Sequence, residues 1–454
     1  MKKGLTPHLV MLGLVCNLCS QSHAWAGGLQ LAYEAALGHD ATYQAARAEL
    51  ASAQQGVPLA RAGLLPGVSL SISDAKVDGT QTIDHPVGNA TSSPLDYRAP
   101  SQSLNIRAPI YNREAMQKLN LAQSQVNYAQ AVLAIRKLEL VDRLATAYLL
   151  RLQSAQSWQA AHAQVAAAQS QSDLARRRLQ LGEGTKPELL DAEAALETGK
   201  VLEVEAQNQI DLAVMSLRHI TGSDAVDLPD EKQALDVENP QWLHTKTLPD
   251  EPLAQLLDHA QSSNPAIAAR RYAIEMAQLV VARNGSGHYP RLDFVASASY
   301  SRNESVSTLN QSTDQRTWGL QLNMPLYSGG AVSASVSQAL ADQEKAQAEL
   351  AAELQAVERD LTKLFNVVTN GGAKLQARQK TVTANRLALE GAQKGFARGF
   401  NTQTDVIQAQ AKLAQARQDL TQAIYEHLLA RVRLSARAGK EPADVIVEME
   451  YMLR

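Results

Sequence analysis

One stretch limits this chain more than any other. From Asn112 to Leu181, seventy residues pass without a proline or a glycine, and nearly every position is a good helix former. Ordinary globular helices run 8–20 residues, so an unbroken run of this length predicts a coiled coil or a bundle strut. At 1.5 Å per residue it would reach about 100 Å. Just before it, Ser103-Leu104-Asn105-Ile106-Arg107-Ala108-Pro109-Ile110-Tyr111 alternates polar and apolar, the pattern of a strand with two unlike faces. A strand that feeds a very long helix therefore organises the chain, and the arrangement returns 216 residues later.

The first 26 residues read as a leader: a basic start at Lys2 and Lys3, an apolar core from Leu9 to Cys19, and Ala24-Trp25-Ala26 as a cleavage signal. Cleavage is expected between Ala26 and Gly27, with export from the cytoplasm. Both cysteines, Cys16 and Cys19, lie inside it and neither follows the small residue of a lipobox. The mature chain is thus expected to use neither disulfides nor thiol chemistry. Two of the 43 basic residues and none of the 46 acidic ones leave with the leader, moving the net charge from −3 to −5. That balance argues against nucleic acid as a partner. Aromatics are only 4% of the chain, which suits close-packed helices better than a thick globular core.

Along the chain, a helix is expected from Gly28 to Gln55, interrupted or bent by Pro58. Val68, Leu70 and Ile72 against Ser69, Ser71 and Ser73 predict a strand, and Asp74 to Pro100 reads as a long polar loop. Inside the long helix, Leu119, Ala122, Val126, Ala129 and Leu133 keep heptad spacing, which predicts left-handed supercoiling against neighbours. The helix should end near Gly182-Glu183-Gly184, where Thr185-Lys186-Pro187-Glu188 opens an antiparallel helix with a capping box. That helix should last to Ile220. Residues 223–252 carry four prolines and eight acids against two lysines; they read as an acidic linker, with Trp242 its one aromatic.

The second half repeats the first. A helix from Leu253 to Arg283 should be split by Pro265. Pro290 to Tyr300 and Trp318 to Leu326 read as strands around a polar loop from Ser301 to Gln315. Tyr327-Ser328-Gly329-Gly330 opens the second long helix, Gly399-Phe400-Asn401 ends it, and Thr402-Gln403-Thr404-Asp405 caps the last one, which runs to Gly439. Pro109-Ile110-Tyr111 maps onto Pro325-Leu326-Tyr327 at an offset of 216, and Gly182, Thr185, Glu188 and Gly222 onto Gly399, Thr402, Asp405 and Gly439 at 217. The expected organisation is a leader (1–26), a first helix-strand-strand-helix-helix unit (27–222), the linker (223–252), a second unit (253–440) and a C-terminal tail (441–454). Asn370-Gly371-Gly372 interrupts only the second long helix, where two glycines cost roughly 2 kcal/mol of propensity; a kink or local flexibility is expected there.

Four amphipathic strands leave an apolar face with nothing to cover it, because the long helices use their apolar surface on each other. In a bilayer that face would meet lipid, and open edges would then have to close into a barrel. Single-chain barrels start at eight strands, so four demand oligomerisation: two copies supply eight, three supply twelve. The serines, Asn105, Arg107, Gln321 and Asn323 would line a wet lumen. Tyr97, Tyr111, Tyr300, Trp318 and Tyr327 lie near the expected strand ends, where interfacial aromatic girdles sit.

The repeat, the strand-to-helix junctions and the tips together resemble the TolC family of outer-membrane ducts over nearly the whole mature chain. The most specific matches are Gly399-x-x-Thr402-x-x-Asp405-Val406-x-x-Ala409, echoed by Gly182 and Glu188, and Leu326-Tyr327-Ser328-Gly329-Gly330. The resemblance implies an α+β membrane protein of the Gram-negative outer membrane: a homotrimer with a 12-stranded β-barrel and a long periplasmic α-helical coiled-coil tunnel. It implies docking to a periplasmic adaptor and an inner-membrane transporter, ABC or proton-driven, for efflux or type I protein secretion, with outer-membrane lipid around the barrel. It makes Gly182, Thr185, Gly399 and Thr402 candidates for adaptor docking, and Asp405, Glu188, Gln408, Asn401 and Phe396 candidates for the tunnel constriction. Glu188 and Asp405 also fit as the third residues of their capping boxes, and the two roles are compatible. The chain departs from the family pattern at three places: Gln408 replaces a second acid, and Phe396 and Asn401 stand where other members carry Tyr and Arg. A phenyl ring makes no hydroxyl bond, so the family's usual gating link would lack that contact here.

No enzyme is expected: P-loop, HExxH and GxSxG patterns are missing, and the ten histidines are scattered. No cofactor is implied. The alternative reading is a periplasmic coiled-coil adaptor or scaffold, which would have no repeated pair of amphipathic strands.

Overall fold

The computed structural model describes residues 28–83, 88–222, 249, 251–303 and 311–453. The leader with its Ala26–Gly27 junction, and nearly all of the acidic linker with Trp242, lie outside the described residues. Helix α1 (Gly28–His39) is followed by α2 (Ala41–Ala62), β1 (Gly67–Ile83), β2 (Thr91–Tyr111), α3 (Arg113–Gln180) and α4 (Lys186–Thr221). The second half runs α5 (Leu253–Ser263), α6 (Pro265–Gly285), β3 (Arg291–Asn303), β4 (Gln311–Asn323), α7 (Ala331–Ala397), α8 (Gln403–Arg437) and α9 (Pro442–Leu453). The helix-strand-strand-helix-helix order thus occurs twice.

Three local expectations are corrected. The first helix breaks at Asp40, before Pro58 is reached. The Asp40 carboxylate accepts the Tyr43 N–H at 2.8 Å and two guanidinium N–H groups of Arg143, both at 2.9 Å. A side-chain cap supplied by a residue that α3 holds in place therefore restarts the helix as α2. Burial raises the Asp40 carboxyl, but Arg143 and the Tyr43 amide outweigh it and hold the group below its ordinary value. Pro58 sits inside α2 without ending it. The segment 441–454, expected as a tail, contains α9, whose Val445, Ile446 and Met449 are buried. Arg431, itself buried, donates to Glu448 at 3.1 Å, and Ser435 donates to the same carboxylate at 3.0 Å, so α9 is pinned to α8.

The third correction concerns strand length. β1 continues to Ile83, β2 begins at Thr91 and β4 begins at Gln311, so most of both expected loops is ladder. These extensions set Asp74, Lys76, Asp78, Asp96 and Arg98 on one face against Ala75, Val77, Leu95, Tyr97 and Ala99 on the other, but Gly79 and Pro94 within them read as turn residues and mask the short alternation. Cross-strand side chains join them: Arg98 to Asp74 at 2.7 Å, Lys76 to Asp96 at 3.1 Å, and the Thr82 and Ser92 hydroxyls at 2.9 Å. The four strands form one antiparallel sheet in the order β1-β2-β3-β4.

The long helices match their expected spans to within a residue or two. Asn112 accepts the Ala115 N–H and opens α3. Proline at the start of α4 and the full Thr185–Glu188 capping box follow the sequence pattern. Much of the heptad seam is buried: Ala122, Val126 and Ala129 on α3, and Ala192, Leu196, Ile210, Ala213 and Leu217 on α4. No helix among the described residues is long and apolar enough to cross a membrane.

The chain divides into two units, each drawing on both halves of the sequence. One contains residues 1–46, 133–265 and 354–454, with α1, α4, α5, α8, α9 and parts of α2, α3 and α7. Its core gathers Leu29, Leu140, Leu144, Leu420, Ile424 and Met449, all at most 1% exposed. Each such side chain contributes roughly 1.5–3 kcal/mol of burial. The other contains residues 47–132 and 266–353, with the sheet, α6 and the strand-proximal parts of the remaining long helices.

The paired glycines do not interrupt α7, which is one α-helix from Ala331 to Ala397. Gly371 has a packing role. A Cβ built on Gly371 would fall on the imidazole of His427. His427 on α8 is 4% exposed and, among the described residues, has no hydrogen-bond partner at either ring nitrogen. The glycine is the notch in α7 that receives this ring. Burial first, and the Arg431 charge second, push the His427 pKa down to about 4, so the ring is neutral at physiological pH.

Candidate functional site

The hairpin tips are built from two equivalent turns. After α3, Gly182 adopts φ 77°, and after α7, Gly399 adopts φ 81°. A side chain is strained in this left-handed region, so glycine is the residue that stops each helix there. The turns then close on their own helix ends. Glu183 and Gly184 donate to the Arg178 carbonyl at 2.9 and 3.1 Å, and Phe400 and Asn401 to the Gly395 carbonyl at 2.8 and 3.3 Å.

The next helices start with complete capping boxes. Thr185 N–H donates to the Glu188 carboxylate at 3.0 Å, and Glu188 N–H to the Thr185 hydroxyl at 3.4 Å. Thr402 donates to the Asp405 carboxylate through both its N–H and its hydroxyl, each at 2.8 Å, and Asp405 N–H returns to the hydroxyl at 3.2 Å. The Thr402 backbone bond, then its hydroxyl bond, hold the Asp405 carboxyl below the ordinary carboxylate value. Asp405 is therefore a fixed negative charge that is also fully exposed. Gln408 is exposed one turn further along α8. Of the docking candidates, Gly182, Thr185, Gly399 and Thr402 are all exposed, and each stands beside a bare apolar side chain or a cap: Leu181 is 74% and Phe400 83% exposed.

Sequence reasoning missed what ties the tips together. The Arg178 guanidinium lies over the Phe396 ring, 4.9 Å from its centroid, a cation–π contact that needs no hydroxyl. Phe396 thus links α7 to α3 through its ring face. Thr404 donates to Asp191 at 3.1 Å and Gln171 to Gln410 at 2.9 Å. Asn401 packs on Gly395, where an added Cβ would meet its side-chain oxygen at 2.5 Å. The equivalence of the two tips was a usable signal, since Arg178 and Phe396 each lie in the last helical turn before a tip glycine.

The sheet presents two unlike faces. On one, Val68, Leu70, Ile72, Trp318, Leu320 and Leu322 are between 65% and 79% exposed. Large apolar side chains in one contiguous band mark a surface built to be covered. Tyr300 and Trp318 stand on this face at the limit of the band, next to Asp314 and Arg316. Trp318 is thus inside β4 and away from the expected strand end. A bulge between Pro109 and Tyr111 brings Tyr111 opposite Leu292, and Tyr327 lies beyond β4, 88% exposed. The other face is hydroxyl- and amide-rich.

The chain matches the family described as outer membrane efflux protein over residues 32–223 and 256–440. It is 33% identical over 439 residues to the proteases secretion protein PrtF of Dickeya chrysanthemi, covering 95% of this chain and 92% of that one. It is 28% identical over 426 residues to the alkaline protease secretion protein AprF of Pseudomonas aeruginosa, covering 93% and 86%. Among solved structures, the fold is similar to that of CusC, with a TM-score of 0.76 over 91% of this chain and 92% of that one at 16% identity. These matches set aside the adaptor alternative. Together with the repeat and the paired tips, they show that the chain belongs to the outer membrane efflux protein family, the TolC family, as a non-enzymatic exit channel of an export system in the Gram-negative outer membrane, with a periplasmic extension.

Proposed function

We propose that three copies of the chain close their sheets into a 12-stranded barrel and pass protein cargo from an inner-membrane transporter, through an adaptor docked on the tips, to the exterior. The observation that carries this reading is the sheet itself: β1 and β4 each pair on one side only, and the band from Val68 to Leu322 is bare. In lipid both defects vanish together when edges pair between copies. A cysteine on β1 at Ser69 and another on β4 at Gln321 should cross-link three chains into a closed species in detergent. A folded, stable monomer under the same conditions would rule the barrel out. Protein as cargo is supported by the names of PrtF and AprF. Disrupting the gene should abolish secretion of a protease-sized protein and leave resistance to small toxic compounds unchanged; the reverse pattern would make the duct an efflux channel for small molecules.

At the tips, Glu188 and Asp405 would form acidic rings in a trimer, and Leu181 and Phe400 would meet the adaptor. The Arg178–Phe396 and Thr404–Asp191 contacts would hold the hairpins in register. Asp405→Asn should weaken block by multivalent cations and lower cation selectivity in planar bilayers, with little change in Tm, because asparagine keeps part of the cap. Asp405→Ala should lower Tm as well. Block and selectivity that stay at wild-type values in Asp405→Asn would leave Asp405 a helix cap and nothing more.

A further inference from the structure

The register of the sheet sorts its charges by face. On the face that carries Val68 and Leu320, the strands continue past the apolar band into Asp74, Lys76, Asp96, Arg98, Asp314 and Arg316. On the opposite face every described strand residue is uncharged, mostly Ser, Thr, Asn, Gln and Gly, with three exceptions. The exceptions are Arg107, Arg291 and Asp293, and they form one cluster. Asp293 is 4% exposed. It receives Arg291 Nε at 3.0 Å and Arg107 Nε at 3.5 Å. The same Arg107 donates to Gln321 at 3.1 Å. The cluster lies at the end of the sheet where β2 leads to α3 and α6 leads to β3.

The charge count is uneven. Two arginines face one aspartate, and both guanidinium groups stay about half exposed while the carboxylate is buried between them. The pair interactions are thus directed into the wall and the surplus positive charge toward the space in front of it. A wall of hydroxyls and amides offers a passing chain only weak, exchangeable hydrogen bonds. A single net charge on such a wall sets the local potential, because no further charge among the described strand residues of that face opposes it and a narrow duct screens it less than open solvent does.

We infer that Arg107, Arg291 and Asp293 form a cationic collar at the helix-side end of the barrel lumen, which draws acidic stretches of polypeptide cargo into the duct. The inference rests on the trimeric barrel proposed above, in which three copies bring the surplus charges together around one opening. Asp293 acts as a positioning residue, holding both guanidinium groups at the wall, and Gln321 fixes the Arg107 fork. The contact to cargo is a moving ion pair, so the collar should favour acidic chains without trapping them, and raised salt should weaken it.

The test uses single channels of the full-length protein in planar bilayers, with polyglutamate and polylysine peptides as probes. Native mass of the wild type is measured first: absence of a trimer overturns the barrel and the collar together, and is read separately from any probe result. With trimers present, polyglutamate should dwell longer than polylysine in the wild type. Arg107→Gln with Arg291→Gln should shorten polyglutamate dwell about tenfold, whereas Arg107→Lys with Arg291→Lys should keep it. Asp293→Asn retains both cations and doubles the net charge per chain, so it should lengthen the dwell even if the glutamine variant fails to fold. Equal dwell of both peptides in the wild type, or unchanged polyglutamate dwell in Asp293→Asn and in any folded glutamine variant, would overturn the collar.

Discussion

Alanine at Gly371 is expected to destabilise the protein by about 2 kcal/mol per chain, although it improves local helix propensity by about 1 kcal/mol. The added Cβ would occupy the place of the His427 ring. That ring is 4% exposed on α8, among close-packed neighbours such as Ile424 and Leu428 that cannot yield much. Overpacking of this kind forces off-rotamer side chains or a backbone shift. The test is a double-mutant cycle read by urea midpoint. Gly371→Ala should lower the midpoint, and His427→Ala in the same chain should recover most of the loss, since truncating the ring frees the space that the added methyl group needs. Additive losses in the double variant would mean that the glycine and the histidine act independently. The result also bears on the glycine pair as a hinge: a helix that tolerates alanine at Gly371 with a gain in stability would have no need of the notch.

Acidification is expected to cost about 3 kcal/mol of stability per chain through the same histidine. The folded protein depresses the His427 pKa from 6.5 to about 4, and each unit is worth about 1.4 kcal/mol. The sign follows from proton counting. Between those two values the unfolded chain binds a proton that the folded chain refuses, so stability rises with pH across the window. The contribution is fully present above about pH 6.5 and is lost as pH falls toward 4. Burial is the main cause and Arg431, one turn along α8, the second. On α7, Lys374 is engaged by Glu426 at 3.2 Å, which leaves no carboxylate of that pair to favour an imidazolium. His427→Gln should flatten the dependence of the urea midpoint between about pH 7 and pH 4.5. An unchanged slope in that variant would assign the acid sensitivity to other groups.

What the residue order determined by itself was everything encoded within a few positions. The glycine-free run ahead of Gly182 made α3, and the Thr185–Glu188 and Thr402–Asp405 spacings made two caps, because helix propensity and capping act over one turn. The repeat at 216–217 residues made the two halves equivalent. The alternation at Val68-Leu70-Ile72 exposed one strand face as apolar, and with it the channel reading. The rest needed partners far away in the chain. Asp40 ends α1 because Arg143, 103 residues later, holds its carboxylate. The outer parts of β1 and β2 are ladder in which Arg98 meets Asp74 across the strands, although Gly79 and Pro94 within them read as turn residues. Phe396 links the tips through Arg178, Arg107 meets Gln321 across 214 residues, and Gly371 is a socket only because α8 brings His427 to it. Local rules rank conformations of a segment; which side chain fills a notch or shares a carboxylate is decided when separate segments pack, and only the tertiary structure holds that information.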